Sequence, residues 1–175
     1  MINFSYAQES QPNNGMGFGF QICQYQKDFG LGLNLMSPSF FYNRISVRVR
    51  SNLVFNERVV GIIPINSPVY EETVWTPYAN ISLGMVGITG FIHDKIRLYS
   101  EGGLIAIIPS KLITSKDVII GGYGLFGVEF FMDNLTNYFI EIGAVGTGAV
   151  ADMVIRRPIY SNGLLINTGF RFQLK

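Results

Sequence analysis

Apolar and polar residues alternate along most of this chain, and a period of two is the side-chain period of a β-strand, not of a helix. The last twelve residues, Leu164–Lys175 (LLINTGFRFQLK), show it most plainly: Leu164, Ile166, Phe170, Phe172 and Leu174 share one face, and Asn167, Gly169, Arg171 and Gln173 the other. Seven further stretches repeat the pattern, so the sequence predicts eight strands: Met16–Tyr25, Phe29–Leu35, Arg44–Phe55, Tyr78–Ile88, Lys95–Ile105, Gly121–Phe131, Tyr138–Gly146 and Gly163–Leu174. Most are 9–12 residues long. That is the length a tilted strand needs to cross a bilayer, and is longer than the usual globular strand of about 5–6 residues. No apolar run reaches the roughly 18 residues of a spanning helix.

Alternation alone does not say which face points outward, because a soluble lipocalin-like ligand-binding barrel carries the same pattern turned inside out. Composition and placement bear on that choice. Only 14% of the 175 residues are charged, against roughly 25% in soluble domains. The polar face is rich in Gly and poor in charge, which would leave a solvated surface bare but suits a crowded lumen. All five lysines and all five aspartates fall in turns, loops or strand ends, and the charges in mid-strand are Arg and Glu. Connection lengths alternate too: Asn56–Pro77, Ala106–Ile120 and Thr147–Asn162 are long, whereas Met36–Asn43, Thr89–Asp94 and Met132–Asn137 are short. Long outer loops and short periplasmic turns make a membrane-barrel pattern with both termini periplasmic. Gln26-Lys27-Asp28 is the exception, short where a long loop is expected.

The expectation is therefore an all-β fold, an eight-stranded antiparallel up-and-down transmembrane β-barrel over residues 16–175, preceded by a tail over 1–15. In that tail Ser5 and Ala7 stand at −3 and −1 of a signal-peptidase-type site, which would make it a signal-peptide remnant to about residue 7; a plain tail is the other reading.

The closing strand resembles the C-terminal insertion signal read by the barrel-assembly machinery: Asn167, Gly169, Phe172 and Leu174 match its order, and Lys175 follows where many such signals stop. From Met16 onward the chain resembles small bacterial outer-membrane barrels of the OmpA/OmpX-like kind, with stretches such as DKIRLYSEGGL and YGLFGVEFF similar to Bacteroidetes-type barrels. That resemblance implies the fold and a Gram-negative outer membrane, and partners consisting of outer-membrane lipid, the assembly machinery and other outer-membrane proteins. It implies no activity.

The polar face places Arg48, Arg50, Arg97 and Arg171 against Glu101, Glu129 and Glu141 in the lumen. An eight-stranded lumen is barely wide enough for side chains, and buried charges there must pair. A plugged, salt-bridged interior is the plain reading; a narrow gated channel is the sharper one. Glu129 and Glu141 lie too deep to meet a substrate, and His93, the single histidine, sits in a turn without a Ser–His–Asp arrangement. No catalytic, cofactor or metal site is expected. With a net charge of +1 and no basic run, no nucleic-acid partner is expected either. Aromatic belts are expected at both interfaces: Phe40-Phe41-Tyr42, Phe130-Phe131, Tyr138-Phe139 and Phe170/Phe172 at one, Tyr70, Trp75 and Tyr78 at the other. Val59–Trp75 and Ile107–Ile120 are unusually apolar for loops. They read either as strands extended above the membrane or as a docking surface. The functional expectation is a non-enzymatic structural or accessory subunit of an outer-membrane complex.

Overall fold

The computed structural model describes residues 15–62, 70–93, 95–154 and 157–174. The N-terminal tail with its signal-peptide reading, and Lys175, lie outside them. Eight strands follow one another: β1 (Met16–Tyr25), β2 (Asp28–Met36), β3 (Ile45–Ile62), β4 (Tyr70–Ile92), β5 (Ile96–Ile108), β6 (Ile119–Phe131), β7 (Thr136–Gly146) and β8 (Gly163–Leu174). Each pairs antiparallel with the next, and β1 pairs with β8, so the sheet closes into a barrel. The closing register runs from Met16–Leu174 to Tyr25–Leu165. Closure removes the unpaired edge that a terminal strand as regular as β8 would otherwise present. Among the described residues there is no helix.

The pleat does the sorting. Along β1 exposed and buried residues alternate without a break, with Gly17, Gly19, Gln21, Cys23 and Tyr25 inside. Outward positions are apolar and open: Leu33 is 52% exposed, Met85 57% and Ile142 54%. Inward positions are mixed: arginines, glutamates, amides, tyrosines and glycines share the interior with a buried apolar cluster that includes Cys23, Val54, Ile105, Leu125 and Leu165. An apolar outside around an interior that holds the mid-strand charges is the reverse of a soluble ligand-binding barrel.

The pairing changes some expected boundaries. Asn56–Ile62 and Tyr70–Pro77, expected as loop, continue β3 and β4 as a paired ribbon. Its outer portion has no other strand beside it: β2 begins at Asp28 and its pairing with β3 reaches no further than Phe29–Phe55, and β5 ends at Ile108, opposite Ala79. Seven residues at about 3.3 Å each extend it roughly 20 Å past the rim. The apolar stretch Val59–Trp75 thus contributes strand, although the side chains of residues 59–71 lie outside the description. β5 likewise runs on to Ile108 and β6 begins at Ile119. The turns at the end that holds both termini are short. The β2–β3 turn contains three consecutive left-handed residues, Phe41, Tyr42 and Asn43, and Tyr42 is almost wholly exposed.

Two glycines show how the interior is filled. A Cβ on Gly127 would land on the ring of Tyr99, and one on Gly84 would land on the hydroxyl of Tyr123. Large side chains cross the lumen only because their neighbours have none.

Candidate functional site

The lumen carries the chemistry. Strands β3, β5, β6, β7 and β8 deliver Arg48 and Arg50, Arg97 and Glu101, Glu129, Glu141 and Arg171 to it, and all seven are buried. Arg48 is wholly enclosed; its Nη1 donates to Glu101 Oε2 at 2.7 Å and to Glu141 Oε1 at 2.6 Å. Arg50 Nη2 donates to Glu101 Oε2 at 2.6 Å and lies 3.0 Å from Glu141 Oε2. Arg171 Nη1 donates to Glu129 Oε1 at 2.6 Å, and the far side of Glu129 is held by Arg97. Arg171 Nη2 stands 4.0 Å from Glu141, so the two clusters meet. The seven charges foreseen on the polar face are therefore one braced network across the lumen.

Pattern reading missed the residues that complete it. Tyr99 donates to Glu141 at 2.5 Å and Tyr123 to Glu101 at 2.6 Å. Asn167 Nδ2 donates to Glu141 at 3.0 Å and Asn137 Nδ2 to Glu129 at 3.2 Å. Each carboxylate so collects neutral donors as well as guanidinium groups, as a buried ion pair requires. The arginines also lie over rings: Arg48 is 5.1 Å from the Tyr99 centroid and Arg171 is 4.7 Å from that of Phe139. The signal was inward parity, which Tyr99 and Asn167 share with the charges; which partner each meets depends on barrel stagger, and that is not local. Phe139 is 1% exposed and Tyr78 3%. Both were expected in the aromatic belts and are instead inside, because each has the inward parity of its strand. Trp75, by contrast, is exposed, as are Phe40, Phe41 and Phe172.

From Arg171 a chain of amides runs along the wall. Arg171 Nε donates to Asn34, Asn34 to Gln21, Gln21 to Asn52, Asn52 to Asn80 and Asn80 to the hydroxyl of Tyr25. It ends beside a second polar cluster, at the loop end, centred on Asp28. Asp28 Oδ1 accepts from Asn56 Nδ2 at 2.7 Å; Oδ2 accepts from Tyr78 Oη at 2.7 Å and from the backbone N–H of Ser161 at 2.9 Å. Thus the β1–β2 turn, short where a loop was expected, is covered by the β7–β8 connection. Tyr160 of that connection packs edge-on against Tyr78 at 5.4 Å. Burial, with Asp152 and Asp28 adding to it, pushes the Tyr160 phenol up to about 12.

The four residues of the expected insertion signal divide between the faces of β8. Asn167 and Gly169 point inward, the former onto Glu141, while Phe172 and Leu174 are exposed on the outer face. His93 is exposed in the β4–β5 turn. Among the described residues no group of three His, Cys, Asp or Glu side chains is placed to hold a metal. Glu129 and Glu141 are fully enclosed and saturated by donors, which leaves neither a free face for proton transfer to a substrate. Chemically the arrangement braces and fills the lumen.

In fold the chain is similar to the N-terminal β-barrel domain of Pseudomonas aeruginosa OprF, with a TM-score of 0.60, 8% identity, and coverage of 93% of this chain and 98% of that one. At that identity the likeness concerns the fold. No protein-family model matches the sequence, and no curated protein matches it.

Proposed function

We propose that this chain is a non-enzymatic integral outer-membrane barrel that serves as a structural or accessory subunit of an outer-membrane complex. One observation carries the membrane half of this reading: the closed barrel turns an apolar face outward and keeps its mid-barrel charges, Arg48, Arg50, Arg97, Arg171, Glu101, Glu129 and Glu141, inside. In water that outer face would be a very large exposed patch; in hydrocarbon it is the surface a barrel needs. The fold likeness to an outer-membrane barrel domain supports the same location. Both termini would then be periplasmic, with the short turns at their end of the barrel, the β3–β4 ribbon and the 5–6 and 7–8 loops outside, and β8 read during insertion through Asn167, Gly169, Phe172 and Leu174.

The accessory role draws on the loop end, where Leu112, Val118, Met153 and Ile159 are all more than half exposed. These residues would meet another outer-membrane protein. A channel is the second reading, and the residues that favour it are the charges of the lumen; the cross-braces at 2.6–2.7 Å are what would have to part.

The deciding experiment is gentle detergent extraction from native membranes followed by measurement of what co-purifies. A partner in fixed ratio, lost when Leu112 and Met153 are replaced by Ser, is the expected result. A lone barrel, confirmed by light scattering, would overturn the accessory role and leave the membrane location to be judged by fractionation and heat-dependent gel mobility.

A further inference from the structure

Past the rim the β3–β4 ribbon is a two-stranded sheet, and the backbone groups on each of its edges follow from the ladder below. The Ile88 N–H donates to the Arg44 carbonyl and the Ser37 N–H to the Val47 carbonyl. The β3–β4 register then runs from Ile45–Gly87 to Ile62–Tyr70 without a shift. Along an antiparallel pair, residues that turn both N–H and C=O to the partner alternate with residues that turn both away. Even-numbered residues of β3 therefore bond to β4, and odd-numbered ones face the β2 side. Pairing with β2 reaches no further than Phe55. Glu57, Val59 and Gly61 thus hold out their N–H and C=O groups, and among the described residues nothing takes them up.

The two edges are not alike. On β4 the outward groups belong to Glu71, Thr73, Trp75 and Pro77, and Pro77 has no N–H to give. Proline and charge are what natural edges use against chance pairing. From Val59 to Ile62 the β3 edge has neither. The ribbon is also acidic. Glu57 and Glu72 are exposed and form no ion pair among the described residues. Its one guanidinium, Arg58, is engaged by Thr76 and the Leu112 carbonyl.

We propose that the free edge of β3, from Glu57 to Ile62, takes up an extended basic segment of another protein, which adds to the ribbon as a third strand and sets a Lys or Arg beside Glu57. In strand addition main-chain bonds supply the affinity and side-chain neighbours select the sequence. An opposite charge next to Glu57 is the favourable neighbour, and a like charge the unfavourable one. A second copy of this chain does not fit the edge. In the membrane orientation proposed above every β3 runs outward, so two copies would meet with these strands parallel. A parallel ladder needs each outward-facing residue level with a residue that points away. A two-fold axis along the membrane normal would instead set each outward-facing residue level with itself. The edge includes none of Leu112, Val118, Met153 and Ile159, so the accessory role assigned to those residues can fail while this inference stands.

The test uses the full chain in lipid nanodiscs and, as probe, displayed random ten-residue peptides. Before any peptide is added, hydrogen exchange followed by NMR should find the amides of Glu57, Val59 and Gly61 exchanging freely and those of Arg58 and Val60 protected. Protection of the first set would mean that lipid, a loop or a second copy already covers the edge, and would overturn the proposal. Selection should enrich peptides that carry Lys or Arg, and the best of them, made synthetically, should slow exchange at Glu57, Val59 and Gly61. Val59→Pro removes an N–H that points away from β4, a loss an edge strand tolerates, so the ribbon ladder holds while peptide binding falls at least tenfold. Should that variant lose its ribbon, N-methylation of the peptide decides without touching the barrel: methyl groups on alternate residues of one parity abolish binding, and those of the other parity leave it within a few-fold. Three results overturn the proposal: no enrichment over a variant lacking 59–73, binding indifferent to the parity of methylation, or selected peptides without basic residues.

Discussion

At the scale of single residues the barrel depends on pairs that can be broken one at a time. Arg48 is wholly enclosed and holds two carboxylates. Arg48→Ala leaves Glu101 and Glu141 short of positive charge inside a narrow lumen, and removing one member of a buried pair costs about 3–5 kcal/mol. Urea unfolding of the refolded barrel should show a loss of that order; an unchanged midpoint would mean the network contributes nothing to stability. Gly127 gives a steric counterpart. Gly127→Ala puts a methyl group on the Tyr99 ring, which is pinned by its bond to Glu141 and by Arg48 above it. Overpacking of this kind costs about 1–3 kcal/mol, and the double variant Gly127→Ala, Tyr99→Leu should recover part of it in the same urea experiment. The charged members of the network were legible in the sequence because Arg and Glu occupied inward parities on strands otherwise free of charge. Asp28 was not: at a strand start beside a short turn it reads as solvated, and its burial comes from a connection more than 120 residues away in sequence.

Among the elements, the number of strands and their faces were legible for a local reason, since side-chain alternation needs no partner to be read. Strand ends were not, because a strand stops where its neighbour stops pairing. β1 and β8 came out with their expected ends. β3 and β4 instead ran on as a ribbon through residues that carry Pro, Asn and Glu. Within the ribbon Arg58 donates to Thr76, and it reaches the rest through its bond to the Leu112 carbonyl. Deleting 59–73 and joining the ribbon with an Asn-Gly turn should therefore leave the thermal midpoint of the barrel within a few degrees of the parent, as followed by circular dichroism. The 5–6 loop is tied to the 7–8 loop differently. The Ser115 hydroxyl and N–H and the Thr114 hydroxyl hold Asp152 well below the ordinary carboxylate range. A carboxylate lowered on folding adds stability above its unfolded value, near 4, and loses it as pH falls toward the folded one. Carboxyl NMR should find Asp152 titrating below a free aspartate, and Asp152→Ala should speed protease cleavage at Lys116 at neutral pH.

For the whole molecule the question is which solvent each surface meets, and Trp75 can report it. It is the single tryptophan, on the outward parity of β4, 55% exposed and four residues before Ala79, where β4 gains β5 as a neighbour. A bilayer-embedded barrel would hold that ring at the interface, where tryptophan is enriched. In liposomes of lipids brominated at defined depths, Trp75 emission should be quenched most by bromine nearest the headgroups and little by bromine at the chain ends, while iodide in the water quenches it only in part. Quenching greatest at the chain ends would place the belt too high and shift the membrane toward the ribbon. Full iodide access with no lipid quenching would mean that the apolar face does not meet hydrocarbon at that level. The lumen answers a separate measurement. Its charges are paired at hydrogen-bond distance across a barrel too narrow for a water-filled path, so the intact barrel in a planar bilayer should show no steady conductance. Removing the carboxylates of Glu101 and Glu141 together frees Arg48 and Arg50 to repel each other, and either a conducting or an unfolded barrel would follow. A parent that conducts steadily would mean the braces open under voltage, and the channel reading would then replace the plugged one.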